Sequence, residues 1–328
     1  MKATALAHSN TALIKYLGKK DEQLIIPMNN SISITIDALS TITTVEFSPQ
    51  YTEDVFILND KKATGQAYQR VVKHLDLLRQ EAQRKLKAKV VSKNNFPTAM
   101  GLASSASGFA ALTVAVCAAL GLKKTPQELS MLSRQGSGSS CRSIFGGFVE
   151  WVKDDGTGKS YAIQLADEDW WDLRDIVLIL EEKEQRQYST REAMRLSMKT
   201  SPFFAARLAA TESNLDKMRR AIKKRDFTLL GTVAEHDCLL MHAVALTSNP
   251  WQLFWTSATV KMMKLVPQLR EKGLPCYFTI DSGANMHLLT LPEHQESILA
   301  ELEKHHFIKK IVCARLAGGA TIISDHLF

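Results

Sequence analysis

Hydrophobic and polar residues alternate in the first part of the chain in a pattern typical of β-strands. Residues 31–37 alternate strictly, and residues 41–47 follow after a short polar turn, so we expect the two segments to form an antiparallel pair. Shorter apolar segments at 55–58 and 86–91 predict two further strands. The N-terminal third of the chain is therefore predicted to be rich in β-structure.

Helical periodicity appears between and after these strands. Apolar residues at three- and four-residue spacing predict a helix over residues 66–85, and the apolar run 109–120 has the length of a buried helix. The tetrapeptide Thr125-Pro126-Gln127-Glu128 is typical of a helix N-terminus, because Thr caps, Pro fits the first turn and Glu completes a capping box. That helix should end near residue 135.

The pattern changes after about residue 188, where long amphipathic helices dominate. We expect helices at 190–198, 202–224, 227–245, 252–272 and 293–305, and strands at 148–152, 176–180, 276–280, 287–291 and from 310 onward. The sequence therefore predicts an α+β fold of two lobes, divided between residues 180 and 190. We place the division at 1–184 and 185–328.

Composition adds few constraints. The chain has 328 residues, 45% hydrophobic and 23% charged, which suits a globular enzyme of two ordinary domains. The longest apolar run that we identify, residues 109–122, is too short to span a membrane, and the N-terminus lacks the apolar core of a signal peptide. Five scattered cysteines favour a reducing cytoplasm over disulfides or structural zinc.

The net charge of +7 allows two interpretations. Basic proteins often bind nucleic acid, but here Lys and Arg are spread along amphipathic helices and do not form one basic arm. Anionic small substrates explain a modest excess of positive charge equally well. We therefore retain RNA binding only as a remote alternative and expect no nucleic-acid partner and no membrane.

A run of small residues at 97–108 precedes the apolar helix. Gly and Ser leave backbone N–H groups uncovered, and the following helix directs the positive end of its dipole toward the same place, so the segment could bind phosphate. It is neither a Walker A motif nor a dinucleotide fingerprint. A plain connecting loop is an equally good interpretation of this segment alone.

A second Gly/Ser-rich segment, residues 136–147, combines hydroxyl groups with a guanidinium. Ser137, Ser139 and Arg142 would make a compact set for a carboxylate or a phosphate, although a surface loop with a salt-bridged Arg has the same composition. We predict this segment to be a loop.

Two shorter segments carry further candidate groups. Lys15-Tyr16-Leu17-Gly18-Lys19 places two cations and a phenol around one turn, either as an anion clamp or as a solvated basic turn. Asp281 follows a strongly apolar strand and begins a Gly-containing turn, which suits a catalytic carboxylate as well as an ordinary turn.

Taken together, these motifs resemble a known superfamily. Residues 97–108 resemble the P-x-x-x-G-L-[AG]-S-S-[AS]-[AS] motif of the GHMP small-molecule kinases, residues 29–33 their N-terminal strand motif, and residues 281–285 their C-terminal glycine motif. Within that superfamily, residues 8–19, 26–31 and 136–148 are similar to the mevalonate diphosphate decarboxylase family. The resemblance covers essentially the whole chain.

The resemblance implies a two-lobed GHMP-kinase fold. Its N-terminal lobe would be ribosomal-S5-like, its C-terminal lobe ferredoxin-like, and the active site would lie in the cleft between them. It also implies ATP, Mg²⁺, usually a homodimer, and the conversion of mevalonate 5-diphosphate to isopentenyl diphosphate with release of CO2, ADP and phosphate.

The resemblance also assigns roles to individual residues. The catalytic residues would be Asp281, Arg142 and Lys15. The substrate's diphosphate and carboxylate would be bound by Tyr16, Lys19, Ser137, Gly138, Ser139, Arg142, Thr190 and Arg191. The ATP phosphates and nucleotide would be bound by Ser92, Gly101, Leu102, Ala103, Ser104 and Ser105. Ser104 would also be a ligand of the magnesium ion.

Three positions depart from the family pattern. Leu17 stands where the family normally has Trp, and Cys141 stands where bacterial relatives often have Ser. Thr190 stands where the family usually has Ser. Leu17 changes the wall of the substrate pocket and so leaves open whether the substrate carries one phosphate or two. The alternatives are a mevalonate 5-phosphate decarboxylase and a GHMP kinase that stops at the phosphate ester.

Overall fold

The computed structural model describes residues 1–96, 104–154, 156–181 and 188–328. The strands of the described residues are β1 (Lys2–Ile14), β2 (Lys19–Asp21), β3 (Ile26–Pro27), β4 (Ser31–Ser48), β5 (Val55–Leu58), β6 (Lys61–Lys62), β7 (Lys87–Asn94), β8 (Phe148–Val152), β9 (Tyr161–Ala166), β10 (Arg174–Ile179), β11 (Tyr277–Ile280), β12 (Met286–Thr290), β13 (Lys310–Arg315) and β14 (Thr321–Ile323). The helices are α1 (Gly65–Glu81), α2 (Ser104–Ala119), α3 (Pro126–Gly136), α4 (Thr190–Thr200), α5 (Phe204–Lys224), α6 (Phe227–Leu246), α7 (Ser257–Glu271) and α8 (Pro292–Leu302).

The larger sheet has the strand order β14-β1-β4-β7-β5-β6, and β8 and β9 extend it from β4. All its pairs are antiparallel except β5–β7, which is parallel. Helix α2 packs across β1 and β4, so its apolar composition is explained by burial against the sheet.

The prediction of two strands joined by a turn near residues 38–40 is wrong. Strand β4 continues through this stretch, because Asp37-Ala-Leu-Ser40 contains neither Gly nor Pro and Leu39 is buried. Its antiparallel partners are β1, β7 and β8, and the register between β1 and β4 changes between His8 and Ser9. The bulge bends the pair without breaking it.

Strand β1 was not predicted. Its sequence is rich in Ala, Ser and Thr, which have little apolar surface and give a weak periodic signal. Ala3, Ala5 and Ala7 are nevertheless buried, and their small side chains allow α2 to approach the sheet closely. Tertiary packing therefore makes this segment a strand.

The smaller sheet is antiparallel with the order β11-β12-β10-β13. Strand β10 belongs to it, whereas the C-terminal β14 joins the larger sheet. The proposed division at 184 and 185 falls among residues 182–187, outside the described part, and stays a prediction. Sheet membership favours a division ahead of Arg174.

One hydrophobic core joins the two sheets. It contains Ile32 and Ile34 of β4, Val177 of β10, and Leu215 and Leu230 from α5 and α6, all fully buried. Burial of each such side chain contributes about 1.5–3 kcal/mol. The two lobes are therefore packed against each other, and a cleft at their junction has fixed walls.

Helix α6 is a longer apolar segment than residues 109–122, the longest that we identified in the sequence. By length and hydropathy it could cross a membrane, with a mean hydropathy of 1.3 over its best window. Half of that window is buried, α6 packs against α5 and β11, and Asp237 at its centre pairs with Arg207 at 3.0 Å. In this fold α6 is a core helix.

Candidate active site

A cavity of about 410 Å³ opens where the two lobes meet. Its walls come from the end of β1, the N-terminus of α2, the segment after α3, helices α4 and α6, and the turn after β11. The predicted site residues that line it are Lys15, Tyr16, Lys19, Ser104, Ser105, Ser137, Gly138, Ser139, Arg142, Thr190, Arg191 and Asp281. Residues distant in sequence are thus brought into one cleft.

The charged centre of the cleft is the Lys15–Asp281 pair. Lys15 Nζ lies 2.5 Å from Asp281 Oδ1, and the lysine side chain is almost fully buried. The backbone of Lys15 is fixed from behind, because its N–H donates to Asp237 at 2.7 Å and its carbonyl accepts from Arg207 at 3.0 Å. The buried ion pair of Arg207 and Asp237 therefore holds the end of β1 in place.

The Asp281 carboxyl is held in its ionised form. Burial raises its pKa, but the positive charges of Lys15, His287 and Arg142 outweigh burial and leave the pKa below its ordinary value. The Asp281 carboxylate is therefore a weak base. It can accept a hydrogen bond and take a proton from a group that is becoming acidic.

Arg142 is a buried cation whose hydrogen-bond partners in the described part of the chain are all neutral. It lies in a short 3₁₀ helix, Gly138–Ile144, where we had expected a loop, and its guanidinium donates to Asn10, Ser31 and Ser33 at 2.6–3.3 Å. Burial lowers its pKa. Among the described residues no carboxylate lies within ion-pair distance of it, so its charge is available to an anionic ligand.

The opposite side of the cleft collects further cations. The side chains of Arg191 and Arg70 both donate to the carbonyl of Gly136, at 3.0 and 3.2 Å. Burial and the nearby Arg191 lower the pKa of Arg70 to about 10. Two guanidinium groups that share one carbonyl favour an anion between them.

Arg70 was missed from the sequence. It lies on α1, within an amphipathic pattern in which a surface Arg is unremarkable. The one available signal was its position beside the buried stripe that contains Val71 and Leu75. Only the approach of α1 to the end of α3 makes it a cleft residue.

Two further side chains complete this end. Lys19 is buried and pairs with Glu22 at 2.7 Å. Tyr16 packs against Trp151 with ring centroids 4.6 Å apart, and its buried hydroxyl has no hydrogen-bond partner in the described structure. Burial raises the pKa of Tyr16, so the phenol keeps its proton and its O–H can donate a hydrogen bond to a ligand.

The N-terminus of α2 forms the third part of the cleft. Ser104 and Ser105 begin the helix, its first turn has no acidic residue, and Ser105 Oγ lies 3.1 Å from Ser137 Oγ. This combination of hydroxyls and helix dipole suits phosphate. The predicted nucleotide residues Gly101, Leu102 and Ala103 lie outside the described residues.

Ser92 is not brought to this cavity. It lies on β7, its side chain is buried, and its hydroxyl lies 2.8 Å from that of Thr43 across the sheet. It is absent from the cavity wall that the described residues form. Its nucleotide role stays a prediction.

Cys141 and Leu17, two of the three departures noted above, lie in different environments. Cys141 is fully buried, its thiol donates to the carbonyl of Gly138, and burial raises its pKa to about 12, so it acts as packing. Leu17 lines the cavity beside Met194, Met241 and Phe254. These residues form an apolar wall next to the charged centre.

The donor set of the cleft fits ATP and magnesium. Asp281 is the one carboxylate among the described residues that line the cavity, against Lys15, Lys19, Arg70, Arg142 and Arg191. No group of three or more His, Cys, Asp or Glu that could by itself hold a metal ion occurs in the described part of the chain. Magnesium accepts such a site when phosphate oxygens and water supply most of its ligands.

Comparison with known proteins agrees with this architecture. Two family models match, the "Diphosphomevalonate decarboxylase-like N-terminal domain" over residues 7–162 and the "Mevalonate 5-diphosphate decarboxylase C-terminal domain" over residues 176–320. The chain is 35% identical to diphosphomevalonate decarboxylase of Candida albicans, over 92% of this chain and 88% of that protein. It is 33% identical to phosphomevalonate decarboxylase of Haloferax volcanii, over 91% of each.

A solved structure described as "MDDEF in complex with MVAPP, AMPPCP and Magnesium" has the same fold. It superposes with a TM-score of 0.93 at 40% identity and covers 99% of both chains. The similarity extends over both lobes, so the two-lobed GHMP-kinase fold with mixed α+β structure is confirmed.

Proposed function

This chain belongs to the diphosphomevalonate decarboxylase family, and we propose that it catalyses the ATP-dependent decarboxylation of mevalonate 5-diphosphate to isopentenyl diphosphate. The observation that carries the proposal is the cleft itself. An ionised Asp281 paired with Lys15 faces Arg142, a buried cation whose hydrogen-bond partners among the described residues are all neutral, and cationic groups surround them. This arrangement suits a substrate with a carboxylate, a hydroxyl and a phosphorylated tail.

The phosphorylated tail would lie at the cationic side of the cleft. Lys19, Arg191 and the unpartnered hydroxyl of Tyr16 would bind its oxygens, with Arg70 behind them. Ser137, Gly138 and Ser139, followed along the wall by Thr190, would add hydroxyl or backbone donors. Guanidinium and ammonium groups bind phosphate strongly when they are removed from water.

Asp281 would receive the C3 hydroxyl of the substrate. A carboxylate with a lowered pKa cannot deprotonate a tertiary alcohol in advance. It can orient the oxygen and take the proton late, as the oxygen bonds to the transferred phosphoryl group in a loose transition state. Lys15 would keep Asp281 ionised and stabilise charge on the phosphoryl oxygens.

Arg142 would hold the substrate carboxylate during the second step. The C3–O bond breaks and its electron pair leaves with phosphate, so positive charge develops at C3. The bond between the carboxyl carbon and C2 then supplies its electrons to the new double bond between C2 and C3, and CO2 departs. A fixed guanidinium aligns this bond with the departing phosphate.

The nucleotide would bind where α2 begins. Ser104 and Ser105 and the helix N-terminus would hold the ATP phosphates, and Ser104 would be a ligand of Mg²⁺. When bound, magnesium neutralises phosphate charge and makes the terminal phosphoryl group easier to transfer. Gly101, Leu102, Ala103 and Ser92 are proposed to contribute to the same nucleotide site.

The number of phosphate groups on the substrate needs a direct test, because the relatives include both a diphosphomevalonate decarboxylase and a phosphomevalonate decarboxylase. Five cations line the described cavity, and they favour two phosphate groups. The deciding experiment compares mevalonate 5-phosphate with the 5-diphosphate and measures both CO2 and ADP. We expect equal amounts of CO2 and ADP, and a kcat/KM at least ~10²-fold higher for the diphosphate, from about 3 kcal/mol of added charged hydrogen bonds.

Other outcomes of this assay would identify the alternatives. Turnover of the monophosphate alone would make the chain a mevalonate 5-phosphate decarboxylase. ADP without CO2 would make it a kinase that stops at the phosphate ester. The remote RNA-binding alternative needs a separate binding experiment, and salt-dependent RNA binding without ATP turnover would support it.

We also propose a homodimer in the cytoplasm. The free state of all five cysteines supports a reducing compartment. Exposed apolar side chains occur on α6, on α7 and on the segment between them, and this group along the chain supports self-association. It comprises Leu239, Leu246, Trp251, Leu253 and Val260.

A further inference from the structure

A second buried charge cluster lies behind the Asp281 carboxylate. His287 Nδ1 is 2.8 Å from Asp175 Oδ2, and the Thr11 hydroxyl donates to the same oxygen at 2.9 Å and lies 3.1 Å from His287 Nδ1. All three residues are at most 5% exposed. Neither the predicted mechanism nor the cavity wall includes them.

The sheet register places His287 near the strand end that precedes Asp281. His287 of β12 is opposite Thr279 of β11, and Asp281 is the first residue after β11, close enough to His287 for their charges to interact. Contacts with β1 confirm this placement. Thr279 donates to the carbonyl of Ala12, His287 contacts Thr11 and Asp281 contacts Lys15.

The charges around His287 favour its protonated form. Burial lowers its pKa, but Asp175 and then Asp281 outweigh burial and leave the pKa above the ordinary value, despite opposition from Lys15. On the α6 side, Cys238 and His242 also face Lys15 and Asp281. Burial and Lys15 lower the pKa of His242 to about 3, and burial raises that of Cys238 to about 11, so both are neutral.

We propose that His287, held by Asp175 and Thr11, is a positioning residue that acts on the Asp281 carboxylate through its positive charge. The proposal rests on the role of Asp281 given above. With Lys15 on one side and His287 on the other, Asp281 lies between two cations that are fixed by separate anchors. Loss of the His287 charge makes the carboxylate accept a proton more readily.

The expected consequence is a shift in the acid limb of the pH profile of kcat/KM. In His287→Gln, which keeps a hydrogen-bond donor near Asp175, that limb moves up by about one pH unit, because one of the positive charges near Asp281 is lost while Lys15 and Arg142 remain. In His287→Lys, which keeps the charge, the limb stays near the wild-type position. Thr11→Val is the matched control, since it removes a contact of the same cluster but no charge.

Two results would overturn the proposal. One is an acid limb in His287→Gln that coincides with that of the wild type. The other is an equal shift in Thr11→Val, which would make the effect one of packing.

A second measurement requires neither catalysis nor a His287 variant. Electrostatic coupling is reciprocal, so Asp281→Asn must lower the pKa of the His287 imidazole by as much as His287 lowers that of Asp281. NMR titration of the imidazole in the wild type and in Asp281→Asn tests this, and identical titration curves would refute the coupling. A wild type that releases no CO2 would instead refute the proposed function, while the titration still decides the role of His287.

Discussion

At the scale of single residues, the cleft contains cations in two different states. Lys15 is neutralised by Asp281 at 2.5 Å, whereas the side chains that accept from Arg142 within the described ranges are all neutral. An ion pair of this kind resists rearrangement, because removal of one partner leaves a buried charge uncompensated. A guanidinium without a carboxylate partner binds an anionic ligand instead. The two residues are therefore suited to different tasks in the same site.

Substitution of Asp281 by Asn is expected to abolish turnover while ATP still binds. The amide cannot accept the hydroxyl proton, and loss of such a group typically costs ~10²–10⁴-fold in rate. Steady-state kinetics and nucleotide titration measure the two effects separately. Asp216→Asn, at an exposed ion pair with Arg219, is the control and should behave as the wild type. Near-normal turnover in Asp281→Asn would disprove its catalytic assignment.

His74 makes stability depend on pH in the acid range. It is fully buried between α1 and α2, with Nε2 2.8 Å from Thr113 Oγ1, and burial, with a smaller effect of Arg70, lowers its pKa to about 4. The unfolded chain therefore binds a proton between pH 6.5 and 4 that the folded chain excludes, so stability falls as pH falls through this window.

The substitution His74→Leu should remove this dependence. For the wild type, the His74 contribution to the free energy of unfolding drops by about 2 kcal/mol from pH 7 to pH 5. Urea denaturation at both pH values should show a fall smaller by that amount in the variant. Thr113→Val is the control, because it removes the hydrogen-bond partner but leaves the titrating group. Equal pH dependence in His74→Leu and the wild type would contradict the assignment.

At the scale of elements, close packing decides where a glycine is required. Gly231 of α6 lies against the ring of Tyr277 on β11, and a Cβ there would lie only 2.0 Å from that ring. The ring is itself held between Phe227 and Arg270. Gly108 of α2, by contrast, has no described atom within 4 Å of a Cβ position.

The same substitution should therefore have opposite effects at these two sites. Gly231→Ala is expected to destabilise the protein by about 1–3 kcal/mol through overpacking. Gly108→Ala should stabilise it by up to ~1 kcal/mol, because Ala has the higher helix propensity. Chemical denaturation of both variants provides the comparison. A stabilised Gly231→Ala would show that α6 and β11 can separate without cost.

Helices and strands differ in how far residues close in sequence were enough to predict them. Thr125 caps α3 with the reciprocal hydrogen bonds to Glu128 that the sequence predicted, because capping depends on residues only three apart. Strands β1 and β4 were mispredicted, since their pairing joins residues that are distant along the chain, from Ile14 with Ile32 to Lys2 with Glu46. Residues close in sequence are enough to predict a capped helix start, whereas the extent of a strand depends on its pairing with distant segments.

At the scale of the whole molecule, the two sheets share one core, and the chain crosses between them more than once. Strand β1 pairs in the larger sheet, yet its end supplies Lys15 to Asp281 of the other lobe. Strand β14 returns from the C-terminus to β1. The cleft therefore depends on the docking of both lobes, and neither lobe contains the complete site.

The exposed apolar group on α6, α7 and the segment between them allows a test of the proposed homodimer. Trp251 is 63% exposed and Leu253 51%, an unusual cost for two large apolar side chains in water. We expect Trp251→Asp to shift the protein from dimer to monomer in sedimentation equilibrium, with its thermal unfolding cooperative. Leu24→Asp, at an exposed leucine outside this group, is the control. A wild type that sediments as a monomer would refute the dimer.

The amino-acid sequence alone determined the family, the two-lobed α+β class and most members of the site. Lys15, Arg142 and Asp281 could be named because each lies in a short motif that resembles a motif of the family. The tertiary structure alone decided which of these groups meet and how their charges are compensated. It brought Arg70 and the His287–Asp175 pair to the site region and kept the Ser92 side chain against Thr43. Distances across a cleft depend on the packing of the two lobes, and no local pattern in the chain encodes them.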